Sequence, residues 1–102
     1  DDEWIHIGDD TLIGPNVTLI TGHHPLDPAL RAQGLQKNLP IHIGKNCWLC
    51  AGVIVCQGVT IGDNTVVAAG SVVTRDLPAN VLAMGSPCRP VRSLTDEKLN
   101  SL

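Results

Sequence analysis

The chain has 102 residues, 43% of them hydrophobic, which is enough for one small domain with a single core and too little for two. Its formal net charge of -3 excludes the broad basic surface that binding to nucleic acid needs. No apolar run reaches the roughly 18 residues of a membrane span, so we expect a soluble cytoplasmic protein with neither nucleic acid nor membrane as a partner.

Aliphatic residues recur at every sixth position in two stretches of the chain. They are Ile7, Ile13 and Leu19, and then Ile43, Leu49, Val55, Ile61, Val67 and Val73. A period of six fits neither a helix nor a simple strand, and it is typical of parallel β-helices, in which three hexads close one triangular coil. We therefore predict an all-β solenoid with coils that begin at Ile7, Ile43 and Ile61. The absence of Phe and Tyr agrees with a narrow interior of small aliphatic side chains.

Three segments lie outside this grid. Residues 25–40 contain three prolines and mixed charge, and we predict that they form a loop extruded from a corner of the first coil. The grid fades after Val73, so residues up to 92 are predicted as a final irregular coil that completes a domain over 1–92. Residues 93–102 are predicted as a short C-terminal helix with Thr95 as its N-cap. Because no cap covers the first coil, we expect the native chain to extend further upstream.

The four cysteines are Cys47, Cys50, Cys56 and Cys88. The spacing Cys47-x-x-Cys50 is found in zinc sites, but no second pair with that spacing accompanies it. The first three cysteines fall at repeat positions that accept small residues. Reduced structural thiols are therefore favoured over metal binding, redox chemistry and disulfides, and we expect no metal.

Four segments carry a resemblance to a known family: "TGHHPLDP", "PIHIGKNCWL", "GVTIGDNTVVAAGSVVTRDLP" and "GSPCRPVR". Together with the hexads they resemble the hexapeptide-repeat acyltransferases, and within them the maltose and galactoside O-acetyltransferases. The resemblance covers essentially the whole chain. It implies a left-handed parallel β-helix, acetyl-CoA as the donor substrate and a sugar or polyol as the acceptor. It also implies a homotrimer with active sites between neighbouring subunits.

The resemblance implies that His24 is the catalytic base. His24 stands directly before Pro25, as the family's catalytic histidine does, and an imidazole can take a proton from an attacking hydroxyl at neutral pH. The adjacent His23 points the other way along an extended segment, so we interpret it as a wall of the site.

Two more residues match acceptor-side positions of the family. Asp2 would bind acceptor hydroxyls, with a solvated terminal charge as the alternative. Trp48 would line the acetyl channel, and packing against the next subunit is an equally good interpretation. The family also has an acceptor-side asparagine upstream of Asp2, which this chain does not contain.

The remaining implied residues serve the donor. The backbone N–H of Ala51 matches the position that polarises the thioester carbonyl, which needs no particular side chain. Coenzyme A is implied to lie along the solenoid between subunits, with arginines at its phosphates. The matching positions are Ala51, Ala69, Thr74, Arg75, Arg89 and Arg92. Transfer would be direct, without an acetylated enzyme.

Several alternatives stay open. A xenobiotic or amino-sugar acetyltransferase would have the same fold and donor. A γ-type carbonic anhydrase would need three histidines that converge on zinc, but His6 and His42 each precede the first aliphatic of a coil and should stack on the outer surface. A non-enzymatic solenoid would show a regular rank of threonines, and the threonines here are scattered.

Overall fold

The hexads form short strands that follow one another around three faces of a prism. The structure is a computed structural model and describes residues 4–95. In chain order its elements are β1 (Ile5–Ile7), β2 (Leu12–Ile13), β3 (Thr18–Leu19), β4 (Gly22–His23), α1 (Pro28–Ala32), β5 (Lys37–Asn38), β6 (Ile41–Ile43), β7 (Trp48–Leu49), β8 (Ile54–Val55), β9 (Thr60–Ile61), β10 (Val66–Val67), β11 (Val72–Val73), β12 (Val81–Gly85) and β13 (Cys88–Ser93).

Strands of successive coils pair in parallel on each face. Face 1 contains β1, β6 and β9, face 2 contains β2, β7, β10 and β12, and face 3 contains β3, β8 and β11. The paired residues form the columns Ile7, Ile43, Ile61, then Ile13, Leu49, Val67, then Leu19, Val55, Val73. This register confirms the three predicted coils and their membership.

The aliphatic columns form the core of the prism. In the second and third coils every column member is buried, including Leu49, whose side chain is 0% exposed. Buried hydroxyls among them bond to the backbone of the next coil, since Thr65 Oγ1 donates to the Pro78 carbonyl at 2.7 Å and Ser71 Oγ accepts from Gly85 N at 3.1 Å. The core therefore leaves no buried polar group of the described chain without a partner.

The corners turn through left-handed backbone conformations. Asn46, Asn64 and Asn80 have φ values near +60°, a region that asparagine tolerates better than most residues. They lie in one column at the corner between faces 1 and 2, where each backbone N–H donates to a carbonyl of the preceding coil, as in Asn64 N to Lys45 O at 2.9 Å. Asparagine thus supplies both the turn and the contact between coils at this corner.

Gly62 permits a close approach between the third coil and the segment above it. A Cβ atom at this position would lie 2.8 Å from the Cα of Ala79, a backbone atom that cannot rotate away. We expect Gly62→Ala to lower the free energy of unfolding by about 2–3 kcal/mol, because the coils must separate. Urea unfolding at constant protein concentration measures this change.

The matched control is Gly34→Ala in the extruded loop. Gly34 has φ +77°, and a Cβ there would meet no atom within 4 Å. We expect Gly34→Ala to lower the free energy of unfolding by about 1 kcal/mol, the cost of a left-handed backbone conformation for alanine. A smaller loss at Gly62 than at Gly34 would contradict the close approach of the coils.

The segment predicted as an extruded loop has structure of its own. Its base is closed by β4 and β5, which pair antiparallel with Gly22 opposite Asn38. Within it, α1 begins at Pro28, and Asp27 caps it by accepting from Ala29 N at 3.2 Å. The loop leaves the prism after β3, at the corner between faces 3 and 1.

The end of the described chain is a hairpin. After Leu77, which bridges to Ile61, β12 continues face 2, and β13 pairs antiparallel with β12 from Cys88 to Ser93. A C-terminal helix was predicted over residues 93–102. Ser93 is instead the last residue of β13, and residues 96–102 lie outside the described part of the chain. No helix among residues 4–95 is long and apolar enough to cross a membrane.

Candidate active site

His24 lies at the corner between faces 3 and 1, immediately after β4. Its side chain is exposed and makes no hydrogen bond with residues 4–95. At the base of the loop is a cavity of about 260 Å³, lined by the sequence neighbours of His24, which are His23 and Pro25, and by Leu35, Gln36 and Lys37. An exposed imidazole next to a cavity of this size is available to a small molecule.

His23 is half-buried and lines the wall of this cavity. Its Nδ1 lies 3.2 Å from Nε2 of Gln57, which belongs to the second coil at the same corner. The hydrogen bond joins the root of the loop to the prism across 34 positions of sequence. No feature of the sequence pointed to Gln57, because the contact depends on where the loop leaves the coil.

Ala51 and Ala69 lie at a different corner, between faces 2 and 3. They occupy equivalent turns of successive coils, and Gly70 N donates to the Ala51 carbonyl at 2.9 Å. Both residues are exposed, and the N–H of Ala51 has no acceptor among residues 4–95. An N–H without an acceptor can donate to a carbonyl oxygen that gains negative charge.

His24 and Ala51 lie at opposite edges of face 3 within one chain. The turn that holds Ala51 leads into β8, whereas His24 comes after β3, and β3 and β8 are neighbours in that face. The two groups therefore lie at different corners of one chain. Direct transfer between molecules bound at the two groups requires contact between the reacting atoms.

Trp48 points outward from face 2 with 49% of its surface exposed. Leu12 and Val66 flank it in the register, and Leu82 follows Val66, so an apolar row runs along this face. The row lies next to the corner that holds Ala51. Asp2, the other acceptor-side candidate, lies outside the described residues.

The remaining donor-side candidates are distributed around the end of the prism. Thr74 and Arg75 follow β11 at the same corner as His24, two coils further along. Arg89 pairs with Met84 near the corner of Ala51 and Ala69, and Arg92 pairs with Leu82 further along β13. All four side chains are exposed. Arg89 is thus the arginine nearest to the Ala51 corner, and Arg75 shares the corner of His24.

His6 and His42 stack on the outside of face 1, as their repeat positions predict. Their ring centroids are 4.7 Å apart and their planes differ by 5°. An open concavity of about 470 Å³ lies beside them, away from His24. Within the described residues no group of three His, Cys, Asp or Glu side chains is placed to hold a metal ion.

The four cysteines have free thiols. Burial raises the pKa of Cys47, Cys50 and Cys88, which keeps these thiols protonated and poorly nucleophilic at neutral pH. Cys47 points into the core, where its Sγ donates to the Gly62 carbonyl at 3.1 Å. These surroundings favour the structural interpretation of the thiols.

Comparison with known proteins agrees with this architecture. A family model described as bacterial transferase hexapeptide (six repeats) matches residues 40–75. The galactoside O-acetyltransferase of Escherichia coli strain K12 is 50% identical over 96 residues, which cover 94% of this chain and 47% of that protein. The chain thus spans about half the length of the curated relatives it matches.

Solved structures show the same relationship. A galactoside acetyltransferase in complex with coenzyme A superposes with a TM-score of 0.89 at 50% identity, over 94% of this chain and 48% of that one. A maltose O-acetyltransferase from Clostridium difficile 630 superposes with a TM-score of 0.89 at 47% identity, over 90% of this chain and 49% of that one. A hexapeptide-repeat acetyltransferase from Vibrio cholerae complexed with acetyl coenzyme A superposes with a TM-score of 0.88 at 44% identity, over 90% of this chain and 50% of that one.

The repeats, the coils and these superpositions define a hexapeptide-repeat protein with a left-handed parallel β-helix. The family resemblance that the sequence carries is confirmed. This chain is similar to acetyltransferases with the same repeats, among them the galactoside and maltose O-acetyltransferases.

Proposed function

We propose that the protein is an O-acetyltransferase that moves the acetyl group of acetyl-CoA to a hydroxyl of a sugar or a related polyol. The observation that carries the proposal is the 50% identity to galactoside O-acetyltransferases over almost the whole chain. Acetyl coenzyme A and coenzyme A in the solved structures of relatives support the choice of donor. The sugar itself is left open.

In the proposed reaction His24 acts as general base. Its imidazole takes the proton of the acceptor hydroxyl as the oxygen attacks the thioester carbonyl. The N–H of Ala51 donates to the carbonyl oxygen while negative charge develops there. The C–S bond then breaks, and the sulfur takes the proton from His24, so that coenzyme A leaves as the thiol. No acetylated cysteine is needed, and the raised pKa of Cys50, next to Ala51, argues against one.

Exposed groups near the Ala51 corner are suited to coenzyme A. The turn at Ala69 continues the corner of Ala51 by one coil, and Arg89 follows at the end of the prism. Arg75, Thr74 and Arg92 would complete the contacts from other corners of the same or a neighbouring chain. Guanidinium groups bind phosphates with two parallel hydrogen bonds, which suits the nucleotide end of the donor.

We propose that the complete site forms between chains of a homotrimer. His24 and Ala51 lie at opposite edges of face 3, so a second chain must bring one of them to the other. The apolar row of Leu12, Trp48, Val66 and Leu82 on face 2 supplies a surface that association would bury. Trp48 would then contribute to the interface, to the acetyl channel, or to both.

We propose further that residues 1–92 form one acyltransferase domain, because the column Ile13, Leu49 and Val67 joins its three coils in one core. The cytoplasmic location stays a prediction of the sequence.

Thiol release from acetyl-CoA by the full native chain tests the proposed function. The acceptors are glucose, maltose, galactosides, glucosamine and an aromatic amine, with a reaction lacking acceptor as the control. Release that depends on a sugar hydroxyl supports the proposal. Release with the amines alone would favour the amino-sugar or xenobiotic alternative, and no release with any acceptor would refute the proposed function.

A further inference from the structure

The hydrogen bond between Gln57 and His23 defines the tautomer of His23. With the amide of Gln57 oriented so that its nitrogen faces the ring, this nitrogen donates and Nδ1 of His23 accepts the bond at 3.2 Å. A neutral imidazole that accepts at Nδ1 carries its proton on Nε2. His23 therefore presents an N–H donor on the side of the ring away from Gln57.

The Nε2 atom of His23 is available to a ligand. Within residues 4–95 it has no hydrogen-bond partner, and the ring lines the cavity beside His24. Pro25 and Leu35 give this cavity apolar walls, Lys37 adds a side chain that can only donate, and Gln36 adds an amide that can donate or accept. The donors of His23 and Lys37 favour a ligand that brings oxygen lone pairs.

We propose that His23 is a specificity-determining residue, which donates from Nε2 to an oxygen of the acceptor that enters the cavity next to His24. Gln57 is the positioning residue that holds His23 in the required tautomer. Because the side chains of His23 and His24 point to opposite sides of an extended segment, this oxygen is not the hydroxyl presented to His24. The ligand class is an acceptor with a further oxygen beyond the reacting hydroxyl, such as a sugar. The inference rests on the proposed function.

The tautomer is tested first, by NMR of the imidazole nitrogens in the full native chain labelled with ¹⁵N. Wild type is expected to show His23 protonated on Nε2 alone. In Gln57→Glu the carboxylate accepts from Nδ1, so the proton is expected to move to Nδ1. In Gln57→Leu the bond is lost and both tautomers should be populated. A wild-type His23 protonated on Nδ1 would overturn the inference.

Kinetics then test the role of the donor. The acceptors are glucose, galactose and maltose with their monodeoxy analogues. His23→Phe keeps a flat ring in the cavity wall but has no N–H, and we expect it to raise the KM of the parent sugar about 3- to 10-fold. The KM of one monodeoxy analogue, which lacks the oxygen that His23 binds, should not change. His42→Phe replaces an exposed histidine outside the cavity and should behave as wild type.

The outcomes separate this inference from the proposed function. Transfer in which His23→Phe raises the KM of every analogue equally, or of none, would overturn the role of His23 and leave the acetyltransferase proposal intact. Absence of transfer to any acceptor would refute both. A KM effect in Gln57→Glu together with a shifted tautomer supports the positioning role, because a merely structural residue would not move the proton.

Discussion

Replacing His24 with alanine is expected to lower kcat for acetyl transfer by about 10²- to 10⁴-fold, the usual contribution of a general base. The side chain is exposed and its imidazole makes no hydrogen bond within residues 4–95, so its removal leaves the packing of the prism unchanged. The KM for acetyl-CoA should change little, because a general base contacts the acceptor hydroxyl and the donor is proposed to be held by other residues. Thiol release with the best sugar acceptor measures both constants.

His42→Ala is the matched control for this experiment. His42 is an exposed histidine on face 1, remote from the cavity at the base of the loop. Its removal disturbs only the stack with His6, and kcat should stay within about twofold of wild type, as for surface changes away from a site. Equal activity of His24→Ala and wild type would contradict the assignment of the base.

A mixing experiment tests whether the site lies between chains. Ala51→Pro removes the N–H proposed for the thioester oxygen, and we expect a loss of kcat of about 10²- to 10³-fold. If His24 and Ala51 come from neighbouring subunits, coexpression of the His24→Ala and Ala51→Pro chains restores some of the sites. A site is restored where the intact His24 of an Ala51→Pro chain meets the intact Ala51 of a His24→Ala chain. Random mixing in a symmetric trimer then gives about a quarter of wild-type activity.

No recovery in mixed oligomers would show that both groups act within one chain. Far-UV circular dichroism and the oligomer mass confirm beforehand that Ala51→Pro folds and assembles, since proline also restricts the preceding residue. The experiment thus separates a misfolded variant from a site that is complete in one subunit.

The coils could be predicted from the sequence because each hexad repeats the same contacts. Each core aliphatic of the second coil packs against its equivalent 18 positions further along the chain, as Ile43, Leu49 and Val55 do. The period therefore predicts which residues are in contact as well as where the strands lie. Few folds relate spacing to contact so directly. Family resemblance added the handedness, which the spacing does not determine.

The parts outside the repeat were harder to predict. The β12 and β13 hairpin was expected as an irregular coil, because the period of six that predicts the parallel strands ends before it. The helix α1 was missed although Asp27 followed by Pro28 is a local start signal. The three prolines of the segment favoured a loop and outweighed that signal.

The candidate site shows the same division. The family resemblance identified His24, Ala51 and the arginines as candidates by their positions in the sequence. The corner of the prism at which each one lies depends on the number of strands that precede it. Gln57 could not be connected with His23 from the sequence, because an insertion of loop residues separates the two and breaks the period. The opposite edges occupied by His24 and Ala51 became evident only when β3 and β8 were assigned to one face.

Leu49→Ala should cause the largest loss of stability, because Leu49 is the middle residue of a core column. Its side chain is fully buried, and the residue lies between Ile13 of the first coil and Val67 of the third. We expect the free energy of unfolding to fall by about 2–5 kcal/mol. Leu26→Ala, at a loop leucine that is 88% exposed, should cost less than about 0.5 kcal/mol. Urea unfolding at one protein concentration compares the two, and similar midpoints for both variants would show that the columns do not hold the coils together.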